Sequence, residues 1–248
     1  MAASASRTKL LAYSAAFAAF YTVFRITPIS QLIGSSGFVP LSNGLALTYA
    51  LLLGPVAGSL SVVLGTCIAY FMGNPPVFLG LDFITPLTAV LTMSLMVRRK
   101  YLWSITAVFI LLLVAFNLSP MTVPWISVPL LGISFPLTWL HFLALGTLVV
   151  YAAAPKLRLE TSSGLFRFTV VAGAIAFVGL LLQQLVGSFI LYEGVLGFYE
   201  SGQLAWPLIW TGMFLVYPFE WIGLTIISVI IAVPVYRLVS KRIPLVEG

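Results

Sequence analysis

Charge is what this chain has least of. Only 7% of its 248 residues are Asp, Glu, Lys or Arg, against about 25% in an average soluble domain. A separate soluble domain is thereby excluded. There is one histidine, His141, so a metal centre built on several imidazoles is excluded too. The single cysteine, Cys67, lies in an apolar run and cannot close an intrachain disulfide or contribute to a cysteine cluster. The acids number six: Asp82, Glu160, Glu193, Glu200, Glu220 and Glu247. No HExxH, GxSxG, Walker A lysine loop or paired Asp-x-x-Asp occurs. Neither enzymatic chemistry nor ATP hydrolysis by this chain is expected, and no metal or cofactor.

What fills the chain instead is hydrocarbon: 61% of residues are hydrophobic and the mean hydropathy is +1.12. Lipid is the expected solvent. A bilayer core of about 30 Å takes roughly 20 helical residues, and the apolar runs divide into eight expected spans. They run approximately from Lys9 to Phe24, Ser42 to Leu53, Pro55 to Met72, Leu79 to Val97, Tyr101 to Leu118, Ser134 to Ala154, Phe168 to Tyr192 and Ala205 to Tyr236. The second is short, divided from the third only by Gly54-Pro55. The last is too long for a bilayer and contains Pro207, Pro218 and Pro234, so tilting or kinking is expected.

The positive charges support this division. Eleven of the twelve Lys and Arg residues fall in four bursts: Arg7 and Lys9; Arg98, Arg99 and Lys100; Lys156, Arg158 and Arg167; Arg237, Lys241 and Arg242. Only Arg25 stands apart. If an even number of spans separates successive bursts, all face the cytoplasm, as the positive-inside rule requires. Merging the second and third spans would break that parity. The expectation is therefore an all-α, polytopic helical membrane protein of about eight transmembrane helices, one integral domain over residues 1–248, in the cell membrane with both termini cytoplasmic. The net charge of +6 belongs to membrane-flanking residues and does not point to nucleic acid. Residues Met1 to Arg7 read as a short disordered tail. Ala16-Phe17-Ala18 could serve as a signal-peptide cleavage site, the less favoured reading of this start.

Two outer segments depart from ordinary loops. Ser119 to Pro136 carries prolines at 120, 124, 129 and 136, too many for a helix and too apolar for a solvated loop. A re-entrant segment or lid with Trp125 as interfacial anchor is expected, or a buried connector. Arg25 to Asn43 has a flexible Gly34-Ser35-Ser36-Gly37 centre and an Asn43-Gly44 turn, and could also cover a site.

The candidate site residues are polar groups in costly places. Glu220 falls near mid-membrane beside Pro218, where an ionised carboxylate costs at least about 2.5 kcal/mol on insertion scales; it faces a cavity, a proton or a structural partner. Arg25 and Asp82, at the outer ends of their spans, are ligand contacts or snorkel to the headgroups. Asn43 is a further candidate contact. His141, Asn117 and Gln183-Gln184 suit interhelical hydrogen bonding, with His141 also a candidate for the site. Trp125, Trp206 and Trp210 could stack on a flat ring, and Arg25 could pair with a carboxylate. Ala12, Ala15, Ala16 and Ala19 form a smooth stripe, and Gly54-x-x-x-Gly58 repeats the spacing. Such stripes mark packing within a bundle or a face for an external helix.

In order, these features resemble the substrate-binding S components of energy-coupling-factor (ECF) vitamin transporters. The resemblance rests on the basic start, the alanine-striped LLAYSAAFAAF, LALTYALLLGPVAGSLSVVLG, LDFITPLTAVLTMSLMVRRK and the final YPFEWIGLTIISVIIAVPVYRLVSK. It covers roughly the first hundred residues and the last thirty. It implies capture of a vitamin or related micronutrient from outside, with a membrane coupling (T) protein and two ATPase subunits as partners. The alanine stripe would then be the docking face. The family's usual span count is six, and this chain departs from it. A self-contained proton-coupled secondary transporter using Glu220 is the alternative, and a lipid-modifying enzyme or structural subunit a third.

Overall fold

The computed structural model describes residues 2–128, 132–159, 164–197 and 205–239. The chain is mostly helical. Helix α1 covers Ala2–Arg25 and leads into a hairpin of β1 (Pro28–Gln31) and β2 (Phe38–Pro40). A 3-10 turn over Leu41–Leu45 opens α2 (Ala46–Leu52), followed by α3 (Gly54–Phe71), α4 (Ile84–Val97) and α5 (Leu102–Leu118). A second hairpin pairs β3 (Trp125–Val128) with β4 (Ile133–Pro136). Then come α6 (Trp139–Ala153), α7 (Leu165–Val186) and α8 (Trp206–Val239). Helix α7 continues into a π-helical stretch, Gly187–Leu196.

Among the described residues, three helical segments are long and apolar enough to cross a membrane: Gly54–Phe71, Leu165–Leu196 and Trp206–Val239. Large apolar side chains stand exposed on the outer surface, among them Leu118, Phe166, Leu208 and Phe219. An apolar exterior of this kind is that of a membrane protein.

Several expectations need correction. The fold is not purely α, because the proline-rich outer segments satisfy their backbone groups as two short antiparallel ribbons. Residues 2–7 are the first turns of α1 rather than a tail; their Ala and Ser residues permit helix. The sixth helix begins at Trp139, since residues 133–136 are spent on β4.

The weakest boundary, at Gly54, is a true reversal. Gly54 has φ +74°, and the Arg98 guanidinium occupies the space that a Cβ there would fill. A Cβ at Gly58 would lie 3.3 Å from the Tyr49 carbonyl oxygen. Along a straight helix those two residues would stand about 13 Å apart. So α2 and α3 lie side by side.

Arg98, Arg99, Arg167 and Arg237 gather at one end of the bundle, away from Arg25. Arg99 donates to the Tyr151, Ala152 and Leu157 carbonyls and lies over the Tyr151 ring, closing the carboxyl end of α6 with a cation. Arg167 donates to the Lys156 carbonyl, and Arg237 covers the Phe168 ring. Arg98 sits at the α2–α3 reversal. Both hairpins fall at the opposite end.

Helices approach closely where side chains are small and hydroxyls find backbone acceptors. Between α1 and α3, Ser61 Oγ donates to the Ser14 carbonyl and Thr22 Oγ1 to the Gly65 carbonyl, both at 3.1 Å. The inward face of α1 is Ser14, Ala18, Tyr21 and Thr22. Ala12, Ala15, Ala16 and Ala19 are all exposed, so the alanine stripe is not the internal seam. A Cβ at Gly65 would meet the Ala18 carbonyl at 2.8 Å. Gly65→Ala is therefore expected to push α1 off α3 and cost about 1–3 kcal/mol, read as a lowered thermal midpoint in detergent; an unchanged midpoint would refute this packing account.

Candidate functional site

At the hairpin end, the end of α1 meets the start of α4. Arg25 Nη2 lies 3.6 Å from Asp82 Oδ1, with both residues buried. The loop before α4 wraps around the carboxylate: Val77 N–H donates to Oδ1, and Phe78 N–H and the Tyr70 hydroxyl donate to Oδ2. With three hydrogen bonds and the Arg25 charge beside Oδ1, Asp82 is well satisfied in its buried place. Neither residue snorkels, because each finds its counter-charge inside the protein.

This pair forms part of the wall of a cavity holding about 700 Å³ of atom-free space, its mouth included. Asn43, Asn74 and Gln183 supply further polar groups. A second chamber of about 410 Å³, its mouth likewise included, adjoins it, with Phe116, Trp139, Trp210, Phe214 and His141 among its lining. Gln184, Ser188, Tyr217 and Trp221 line both and form the threshold. A third hollow of about 680 Å³, between the loop of the first hairpin and the loop after α3, shares Phe38, Asn74 and Val77 with the first cavity. It gives the site an approach from the hairpin end.

Two helices shape the chambers. On α8, Trp210, Met213, Tyr217, Trp221, Leu224 and Ser228 are buried at spacings of three or four residues, the period of one helical face. On α7, Gln184 donates to Ser188 Oγ one turn on. The π-helical stretch then carries Tyr192, whose hydroxyl donates to the Ile33 carbonyl of the first hairpin. Wide π turns of this kind recur at functional sites. The second hairpin is tied over its chamber by Trp210 Nε1 donating to the Met121 carbonyl at 2.7 Å and by Thr122 Oγ1 donating to Glu193 Oε1 at 2.6 Å.

Several polar atoms around these chambers make no hydrogen bond of good geometry: Arg25 Nε, Asn43 Oδ1, Gln183 Oε1 and Trp221 Nε1, with the His141 ring and Gln184 Oε1 only loosely joined to each other. Each is costly to leave unpaired in an apolar surround. Such a concentration suits a site waiting for a ligand. Among the described residues no three of His, Cys, Asp and Glu gather to hold a metal.

Of the six residues expected at the site, Arg25, Asn43 and Asp82 line the first cavity and His141 the second. Trp125 is 62% exposed on β3 and lines neither. Glu220 also lies outside both, turned from the buried stripe of α8 toward Ser30 of β1; its carboxylate oxygens are buried without a hydrogen bond of good geometry. Gln183 and Gln184 line the first cavity, and Gln184 also reaches His141 of α6, the interhelical contact expected of it. Tyr217, Trp221, Tyr192 and Asn74 went unrecognised, although the periodic stripe on α8 was the signal for the first two. Comparison with protein-family models, with curated proteins and with solved structures returns no match.

Breaking the buried pair from one side is expected to hurt more than removing it whole. Asp82→Asn, which strands the Arg25 charge, should cost about 3–5 kcal/mol of stability, and the double change Arg25→Met with Asp82→Leu distinctly less. Thermal or urea unfolding in detergent measures both; a double variant as weak as the sum of its singles would contradict the coupling.

Proposed function

We propose that the chain is the membrane-embedded substrate-binding component of an ECF-type importer, non-enzymatic in itself, with a coupling membrane protein and two ATPases as partners. In this reading it has eight spans, with the basic end in the cytoplasm and the hairpin end outside. The observation that carries the reading is the pair of adjoining chambers at the hairpin end, opposite the cationic end, walled by buried polar groups without partners. A binding protein that captures a scarce solute from outside needs such a chamber on that side. The exposed alanine face of α1 supports it, since a smooth face outside the bundle suits a second protein's helix. Ala15→Trp should leave ligand binding intact and abolish uptake, because it adds bulk far from the chambers. Uptake that survives loss of the ATPases would sink the proposal.

A second reading, a proton-coupled carrier, draws on the unpaired Glu220 carboxylate between α8 and the first hairpin. Outside the chambers, Glu220 cannot touch a ligand there, so the importer reading expects Glu220→Gln to retain ATP-driven uptake with unchanged ligand affinity. Gradient-driven accumulation by this chain alone in liposomes, lost in Glu220→Gln, would decide for the carrier.

A further inference from the structure

The two chambers differ in chemistry, and the difference specifies a ligand. This step rests on reading them as the substrate site. In the first, the residues lining the cavity include one cation and one anion, Arg25 and Asp82. Asp82 already accepts three hydrogen bonds, from two backbone N–H groups and a tyrosine hydroxyl, and its charge is countered by Arg25. A ligand ammonium group would meet a carboxylate that is already neutralised. Arg25 is the reverse case. Its residue is more than nine-tenths buried, its contact with Asp82 at 3.6 Å is too long for a hydrogen bond, and Nε has no partner. A planar fork of five N–H donors in a cavity wall is matched by a carboxylate, which accepts two parallel hydrogen bonds. Trp221 Nε1 on the threshold adds another unpaired donor that cannot be turned into an acceptor.

The second chamber offers the opposite. Phe116 stands edge-on to Trp210 at 5.2 Å, and Trp139, Phe214 and the buried imidazole of His141 complete a ring-lined space with little charge. Flat or bulky apolar groups fill such a space best. We propose that the substrate is an amphipathic carboxylic acid: its carboxylate sits on Arg25 in the first chamber, its body crosses the Gln184–Tyr217–Trp221 threshold, and an aromatic or similarly flat apolar ring occupies the second.

The test uses three probes of one shape, 2-naphthoate, 2-naphthamide and 2-naphthylmethylamine, titrated calorimetrically into the purified full chain in detergent. The naphthoate is expected to bind at least about ten-fold more tightly than the amide, with no binding of the amine. Arg25→Lys keeps the charge beside Asp82 but loses the fork, and should reduce naphthoate to the affinity of the amide. Phe214→Ala should weaken naphthoate and amide alike; each variant is first checked for an unchanged thermal midpoint. Equal or tighter binding of the amide or amine, binding of none of the three, or naphthoate affinity unmoved by both variants would overturn the inference. ATPase dependence of uptake tests the importer reading independently of these titrations.

Discussion

A guanidinium and a carboxylate can lie this deep in an apolar bundle only if they lie together. Arg25 ends α1 and Asp82 lies in the 3-10 turn Leu81–Phe83 just before α4, and their contact at 3.6 Å ties the two chain segments together. The loop from Asn74 to Phe78 is then drawn over the carboxylate by two backbone N–H groups, and Tyr70 is drawn from α3. One charge pair thus gathers three helix ends and a loop into the wall of a cavity. A buried ion pair adds little net stability. Its value here is placement, because Asp82 is satisfied while Arg25 keeps unused donors at the cavity.

The rest of the bundle follows from the same scarcity of polar partners. Hydroxyls of Ser61, Thr22, Tyr49 and Ser228 each reach a backbone carbonyl on a neighbouring element, and glycines let those elements come close enough. At the basic end, Arg99 closes the open carbonyls of α6. Unpaired buried polar atoms occur elsewhere too, such as the hydroxyls of Ser14, Tyr21 and Ser94; those around the two chambers differ in facing a common cavity.

The hairpins supply what helices could not. Prolines at 120, 124 and 136 forbid a helix across the second outer segment, and a ribbon tied by Thr122 to Glu193 and by Trp210 to Met121 covers the ring-lined chamber instead. The first hairpin runs along α8, with Ile33 packed against Gly212 near its tip and Ser30 beside Glu220. Both ribbons pair their own backbone groups, so they can pack against helices without leaving donors stranded.

Sequence alone determined the helical segments, the break at Gly54-Pro55 and the separation of the basic bursts, because hydrophobic run length and proline and glycine placement are local properties written residue by residue. It also marked Arg25, Asn43, Asp82 and His141 as polar groups out of place. Only tertiary structure decided what those groups do. Charge opposition between Arg25 and Asp82 depends on where two helix ends meet, which no spacing along the chain encodes. Glu220 looked the most consequential acid, yet its direction is set by a rotation about α8: Tyr217 and Trp221, four residues apart, face the chambers, and Glu220, between them in sequence, faces the first hairpin. The alanine stripe likewise reads the same whether it packs inward or outward, and the inward place was taken by Ser14, Ala18 and Tyr21: the Ser14 carbonyl accepts from Ser61 of α3, and the Tyr21 ring packs edge-on against Tyr49 of α2.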